Sequence, residues 1–385
     1  DAFTLIGNPY PSALDAALFI NDPVNSDMTG VLYFWEQQFG TTHFIADYIG
    51  GYATLTYNTG FVESFVNATF SAFDGSGDPL PLPPPGETGT KEAKRYQPVG
   101  QGFMIMGRVP TAIDPIVNGG TVTVKNSHRA VVPEGVDSFF FRNAETIPAE
   151  EENPFYQVPD DYKRFRINVD FNNLYTRQLL HNFHHTATDG FDRGLEGHRP
   201  GGPASDAYWV LEDDKFVIQA HNYDETLRIP LVVNIEQNQS LRFRIEDVQH
   251  FNDAQPIYIY DSAYDIYVDL QAQDYNINIE TGLYTNRFEI TFSRNTLSNQ
   301  DFELSDFLMI QNNQQQELQI INNGLLDINS FQLIDVSGKS VFKNLNLGNS
   351  NTYNFSTSKL SEGIYIASAT FKNGTTITQK VIIKN

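Results

Sequence analysis

An all-β protein is the expectation from three features of the sequence. Short runs of branched and aromatic residues recur along the chain, many alternate with polar residues, and glycine or asparagine turn signals separate them. In the first 300 residues these runs include Val31-Leu32-Tyr33-Phe34-Trp35, Thr121-Val122-Thr123-Val124-Lys125, Phe165-Arg166-Ile167-Asn168-Val169-Asp170-Phe171, Ile257-Tyr258-Ile259-Tyr260 and Arg287-Phe288-Glu289-Ile290-Thr291-Phe292. Asn118-Gly119-Gly120 and Thr281-Gly282 mark turns, so the segments read as strands of a large antiparallel β-sandwich body in one or two lobes. One short helix is expected after Pro11, with Ser12 as its cap and Asp15 as the box partner, ending by Asn21-Asp22-Pro23.

Composition sets the function classes. The 385 residues are enough for two or three domains, and 40% hydrophobic with 13% aromatic content is that of a folded chain. A net charge of −22 repels a polyanion, which argues against nucleic acid as a partner. Without cysteine there is no disulfide, thiolate metal site or thiol nucleophile. No stretch approaches the roughly 18 apolar residues of a membrane-spanning helix. The opening Asp1-Ala2-Phe3-Thr4-Leu5 reads as a strand, so the chain is taken as the C-terminal part of something longer; its acidic, lysine-poor surface suits an exported protein.

Domain boundaries follow proline and charge. All 19 prolines precede residue 301; beyond it seven carboxylates face six lysines, leaving the tail near −1 and the first 300 residues near −21. A polar linker at residues 295–308 joins the two bodies. A softer break at 143–163, dense in acids and prolines, divides the first into lobes at 1–148 and 160–296. Residues 79–85 are proline-rich and read as a surface loop of polyproline type.

The tail, residues 308–385, reads as six or seven strands closing an immunoglobulin-like sandwich. Phe331-Gln332-Leu333-Ile334-Asp335-Val336 turns at Ser337-Gly338 and returns through Lys339-Ser340-Val341-Phe342. A second strand from Gly363 to Phe371 reaches Asn373-Gly374, a strong hairpin signal, and returns from Thr376 to Ile383.

Leu333-Ile334-Asp335-Val336-Ser337-Gly338-Lys339, Leu360-Ser361-Glu362-Gly363-Ile364-Tyr365 and Lys380-Val381-Ile382-Ile383-Lys384-Asn385, in this order, resemble the type A C-terminal sorting domain of type IX secretion cargo in Bacteroidota such as the flavobacteria. The chain departs from that pattern at Gln311-Asn312-Asn313, where an Asn-Pro pair is usual. The resemblance implies a folded sorting signal carried by Asp335, Gly338, Lys339, Gly363, Tyr365, Gly374, Lys380, Lys384 and Asn385. It further implies recognition at the outer membrane by the translocon and a β-barrel shuttle protein, and removal by a sortase that attaches the cargo to surface lipopolysaccharide, with cleavage at about residues 295–312. Ile6-Gly7-Asn8-Pro9-Tyr10-Pro11, Gly100-Gln101-Gly102-Phe103 and Ala187-Thr188-Asp189-Gly190-Phe191-Asp192 resemble segments upstream of the sorting domain in large flavobacterial surface proteins, which points to a secreted or cell-surface location.

Residues that carry chemistry are sparse. There is no Gly-x-Ser-x-Gly, phosphate-cradling loop or His-Glu-x-x-His; Gly75-Ser76-Gly77 reads as a flexible turn, and the chain is read as a non-enzyme. His181, His184 and His185 stand near Asp189 and Asp192, a mixture that holds transition metals, although on a strand His181 and His184 point to opposite faces. Asp189 and Asp192 are the calcium candidates in a loop that Asx turns also explain; no other cofactor is expected. Glu212-Asp213-Asp214 reads as a solvated turn rather than a glycosidase pair. Trp35 and Trp209 are candidate stacking rings for surface polysaccharide, against a phenylalanine excess that favours core packing. Asp261-Ser262-Ala263 is similar to the short bacterial O-glycosylation acceptor, with Ser262 as the modified residue. The expected role is a secreted adhesin-like or scaffold protein; the alternative is the noncatalytic carbohydrate-binding end of a polysaccharide-degrading enzyme.

Overall fold

The computed structural model describes residues 3–38, 44, 48–72, 88–107, 120–135, 137–141, 155–252, 254–294, 307–322, 325–336, 338–372 and 376–384. Residues 75–77 and 79–85, most of the acidic break, the linker at 295–306, Gly374 and Asn385 lie outside them. The chain divides into two compact units, Asp1–Ile257 with Gln273–Phe292, and Tyr258–Ala272 with Ser293–Asn385. Among the described residues the fold is almost all strand, and no helix is long and apolar enough to cross a membrane.

The first unit opens with β1 (Phe3–Gly7), β2 (Ala13–Asp15), α1 (Ala16–Asn21), β3 (Met28–Gln37), β4 (Ile49–Tyr57), β5 (Glu63–Val66), β6 (Ser71–Ala72), β7 (Tyr96–Gln97), β8 (Gly102–Gly107) and β9 (Arg129–Ala130). β1-β8-β3-β4-β5 form one antiparallel sheet and β7-β2-β9 a smaller one, closed over Leu14, Phe19, Leu32, Phe34, Leu55 and Phe103. The helix starts later than its sequence signals imply. Residues 13–15 pair as a strand, and Asp15, not Ser12, caps α1 by accepting from Leu18 N at 3.2 Å. Thr121–Lys125 is not a strand either: the Asn25 side chain bonds both backbone groups of Thr123, at 2.7 and 3.1 Å, standing in for a neighbouring strand.

Next come β10 (Lys163–Phe171), β11 (Tyr175–Phe183), β12 (Gly197–His198), β13 (Asp206–Leu211), β14 (Asp214–His221), β15 (Arg228–Ile235) and β16 (Gln239–Gln249). β17 (Tyr258–Asp261) and β18 (Ile266–Asp269) form a hairpin of the second unit, and β19 (Tyr275–Ile279) and β20 (Gly282–Thr291) complete the first. The second sheet of the first unit runs β20-β15-β13-β14-β11-β10-β16-β19. Its pairs are antiparallel except β11 with β14, which is parallel.

β10 explains how the two sheets of the first unit meet. Phe165, Ile167, Val169 and Phe171 point to one face, Arg164, Arg166, Asn168 and Asp170 to the other, and every one of them is buried. The polar face lies under β5, the edge strand of the first sheet among the described residues. Arg164 Nη2 donates to Glu63 O at 2.6 Å and Arg166 Nη1 to Phe65 O, so two guanidiniums close carbonyls that an edge strand leaves open. Burial pushes Arg164 down to about 9 and Arg166 to about 10. On the opposite face Arg177 grips Asp206 with two bonds, at 2.7 and 2.8 Å.

The second unit contains β21 (Phe307–Asn312), β22 (Glu317–Asn322), β23 (Ile328–Asp335), β24 (Ser340–Gly348), β25 (Thr352–Ser356), β26 (Gly363–Phe371) and β27 (Thr376–Ile383). β21-β22-β25 and β24-β23-β26-β27 make the two sheets of a small sandwich. Its core draws on residues 307–383 alone: Phe307, Ile320, Phe331, Leu333, Ala367, Phe371 and Val381 among them. Phe331 is fully buried with the Phe355 ring stacked on it at 4.8 Å. Phe331→Ala is expected to remove about 3–5 kcal/mol from a module of this size, abolishing the tail's transition in calorimetry of the whole chain while the transition of the first unit stays in place.

Candidate functional site

The sorting residues separate into those that build the tail and those that face solvent. Asp335 ends β23 and accepts from Lys339 N at 3.0 Å, while its own N–H bonds Lys339 O at 3.0 Å. Gly338 occupies φ +84° inside this turn, a conformation a side chain resists. Tyr365 is buried, pairs opposite Asp335, and donates its hydroxyl to Ser361 O at 2.8 Å. It therefore supports the sandwich from within. Gly363 opens β26 and is exposed. Lys339, Lys380 and Lys384 are exposed, as is Lys343 on the edge strand β24. Leu318, Leu333, Phe342, Phe355 and Leu360 line a cleft of about 300 Å³ in the same module.

Asn313, part of the departure at the front of the tail, has a role that residue spacing does not reveal. Its Nδ2 donates to Ile382 O at 3.3 Å and its Oδ1 accepts from Lys384 N at 3.1 Å. The end of the first strand is thereby tied to the end of the last. The Asn373-Gly374 hairpin is represented by its flanking strands, with Thr370 opposite Thr376.

In the first unit the candidate ligands do not converge as their order in the chain implies. Asp192 receives Thr188 N at 2.5 Å and Thr188 Oγ1 at 3.1 Å on its two carboxylate oxygens, closing the loop back onto a residue four positions earlier rather than forming an Asx turn. Arg193 turns away to donate to Asn25 O at 2.8 Å, and Asp189 is exposed. His181 is buried between Phe165 and His221, with Nε2 3.0 Å from His221 Nδ1, and burial holds it well below the usual imidazole range. His184 and His185 emerge past the end of β11 and meet Asp161 instead of Asp189 or Asp192.

The stacking-ring candidates behave differently from one another. Trp209 is fully buried and donates Nε1–H to Leu180 O at 3.2 Å, which removes it from any surface platform. Trp35 is half-buried, and the Tyr52 ring meets it edge-on at 66°. Phe165, Phe183, Phe251 and Phe292 form one aromatic cluster with rings 5.5–6.4 Å apart. Glu212 and Asp213 take positive φ in the turn between β13 and β14, and Ser262 is exposed in the turn between β17 and β18.

An all-β body is followed by a self-contained sandwich that ends in an exposed basic strand end. Residues 304–384 match the secretion system C-terminal sorting domain, so the protein is type IX secretion cargo, sent through the outer membrane to the cell surface or medium. Residues 1–292 match the family described as a domain of unknown function, DUF8693, and the chain belongs to that family. No curated protein matches it.

Glu196, which sequence patterning does not mark, is a buried carboxyl at the end of the 188–196 loop. It is fully buried, accepts from Asp192 N and Ala220 N, and burial raises it from an ordinary 4.5 to about 8. Between those values the folded chain holds a proton that the unfolded chain has released. Stability from this group is complete below 4.5 and is lost as pH rises through 8. Urea midpoints are expected to fall across that interval by the equivalent of a few kcal/mol, and Glu196→Gln is expected to flatten the decline.

Proposed function

We propose that the DUF8693 body is a noncatalytic adhesin-like or scaffold module displayed at the surface. The tail engages a translocon and its β-barrel shuttle, and a sortase then separates it from the body. What supports a structural duty is the use of the aromatic side chains: the Phe165–Phe292 cluster and Trp209 lie in the core, where they build rigidity. Exposed Lys339, Lys343, Lys380 and Lys384 supply the contact groups of the tail, and the outer edge of β24 supplies backbone for strand addition. Cleavage falls in residues 295–303, within the expected stretch, since the matched body ends at 292 and the matched tail begins at 304.

One observation favours the carbohydrate-binding alternative. Asp170, Asn173, Ser240, Arg242, Asn276 and Asn278 line a polar cleft of about 170 Å³ on the second sheet, and amide side chains of this kind hydrogen-bond sugar hydroxyls. The two readings separate in affinity electrophoresis of the whole chain through polysaccharide gels. The scaffold reading expects unchanged mobility, whereas retardation relieved by Asn276→Ala moves the function to this cleft.

Deleting residues 304–384 in the producing cell is expected to leave the body behind the outer membrane, and the intact chain to reach the surface with a new terminus in 295–303. Fractionation and terminal sequencing check both. Export of the deleted form contradicts the role of the tail.

A further inference from the structure

The end of the second sheet carries a cluster that the sorting function does not use. In the β10–β11 pair Lys163 stands opposite Phe183. Just beyond the strands Tyr162 meets His184, and Asp161 lies beside His184 and His185. The Tyr162 and His184 rings stack at 4.2 Å and 20°. Tyr162 is buried, and its hydroxyl accepts from Asn58 Nδ2. Both flanks are closed turns: Tyr162 N donates to Pro159 O at 2.9 Å and Ala187 N to His184 O at 3.0 Å, while His184 N is held by His221 O at 3.1 Å. The His184 imidazole is therefore fixed on one face by a buried ring and at its backbone by two hydrogen bonds.

Its nitrogens are equally constrained. Nδ1 lies 2.7 Å from Thr186 Oγ1, and Nε2 points outward to Asp161 Oδ2 at 3.3 Å. The His185 ring sits 4.1 Å from that of His184. One ligand atom each from Asp161, His184 and His185 falls within 4.8 Å of the others.

We propose that Asp161, His184 and His185 bind a divalent transition metal of the zinc type, with the remaining positions left to water or to a ligand of a partner. Two imidazoles and a carboxylate are the donor set such ions take, whereas calcium selects oxygen. Tetrahedral bonds of about 2.0–2.2 Å place donors roughly 3.3–3.6 Å apart, so His184 and Asp161 already stand at the required separation and His185 completes the set by a ring rotation. Thr186 supplies the outer hydrogen bond: its hydroxyl, 2.7 Å from Nδ1, is placed to accept Nδ1–H when Nε2 ligates. The order of the chain hides this site because Asp161 lies 23 residues before His184 and only the strand register joins them.

Isothermal titration of the metal-stripped full chain with zinc chloride tests this. One saturable site per chain is expected, weakened at least about tenfold in Asp161→Asn and in His185→Ala. Both are exposed positions outside the core, so circular dichroism is expected to be unchanged. Thr186→Val is expected to weaken zinc by about tenfold without removing any ligand. Cobalt in place of zinc is expected to give visible bands that disappear in His184→Gln. Absence of a saturable zinc site in the intact chain, or a site unchanged in Asp161→Asn and His185→Ala, overturns the proposal.

Discussion

The first unit depends on two buried guanidiniums. β5 is the edge strand of its sheet among the described residues, and an edge presents carbonyls that either find donors or invite another chain. Arg164 and Arg166 reach Glu63 O and Phe65 O from the neighbouring sheet and close that edge. Their own charge is balanced by surroundings that include Asp247, 3.9 Å from Arg166 Nε, and the hydroxyl-bound Glu63. A strand edge and a sheet face thus satisfy one another, and the seam between the sheets is polar where a sandwich is ordinarily apolar.

This seam marks where sequence reading loses its hold. The alternation in residues 165–171 identifies a strand correctly, because period two is a local property. Alternation alone does not say what covers the polar face; here it is a second sheet about a hundred residues away in the chain. Ser12 and Asp15 are both acceptable caps, and the choice was made by β2, whose pairing with β7 and β9 consumes residues 13–15. Thr121–Lys125 has strand composition without a strand partner, since the side chain of Asn25 took that place. Each miss arises from a long-range contact overruling a local preference.

The tail was legible for the converse reason. Its hairpins are local, Gly338 marks a turn by its own backbone requirement, and its core comes from the same eighty-odd residues that encode it. What the motif could not give is the division of labour among its residues. Tyr365 and Asp335 hold the module together, while the lysines stay available. Among the histidines, the strand argument that separates His181 from His184 is correct, yet the acid that joins His184 and His185 is Asp161, placed there by strand register.

The bond from Asn313 to the last strand bears on timing in the producing cell. Because Ile382 O and Lys384 N are both held by a residue from the start of the module, the fold has no complete form until translation has passed residue 384. Start and finish of the module are thereby clasped by one amide, and a polypeptide cut back before Ile382 leaves both ends of that amide without these partners.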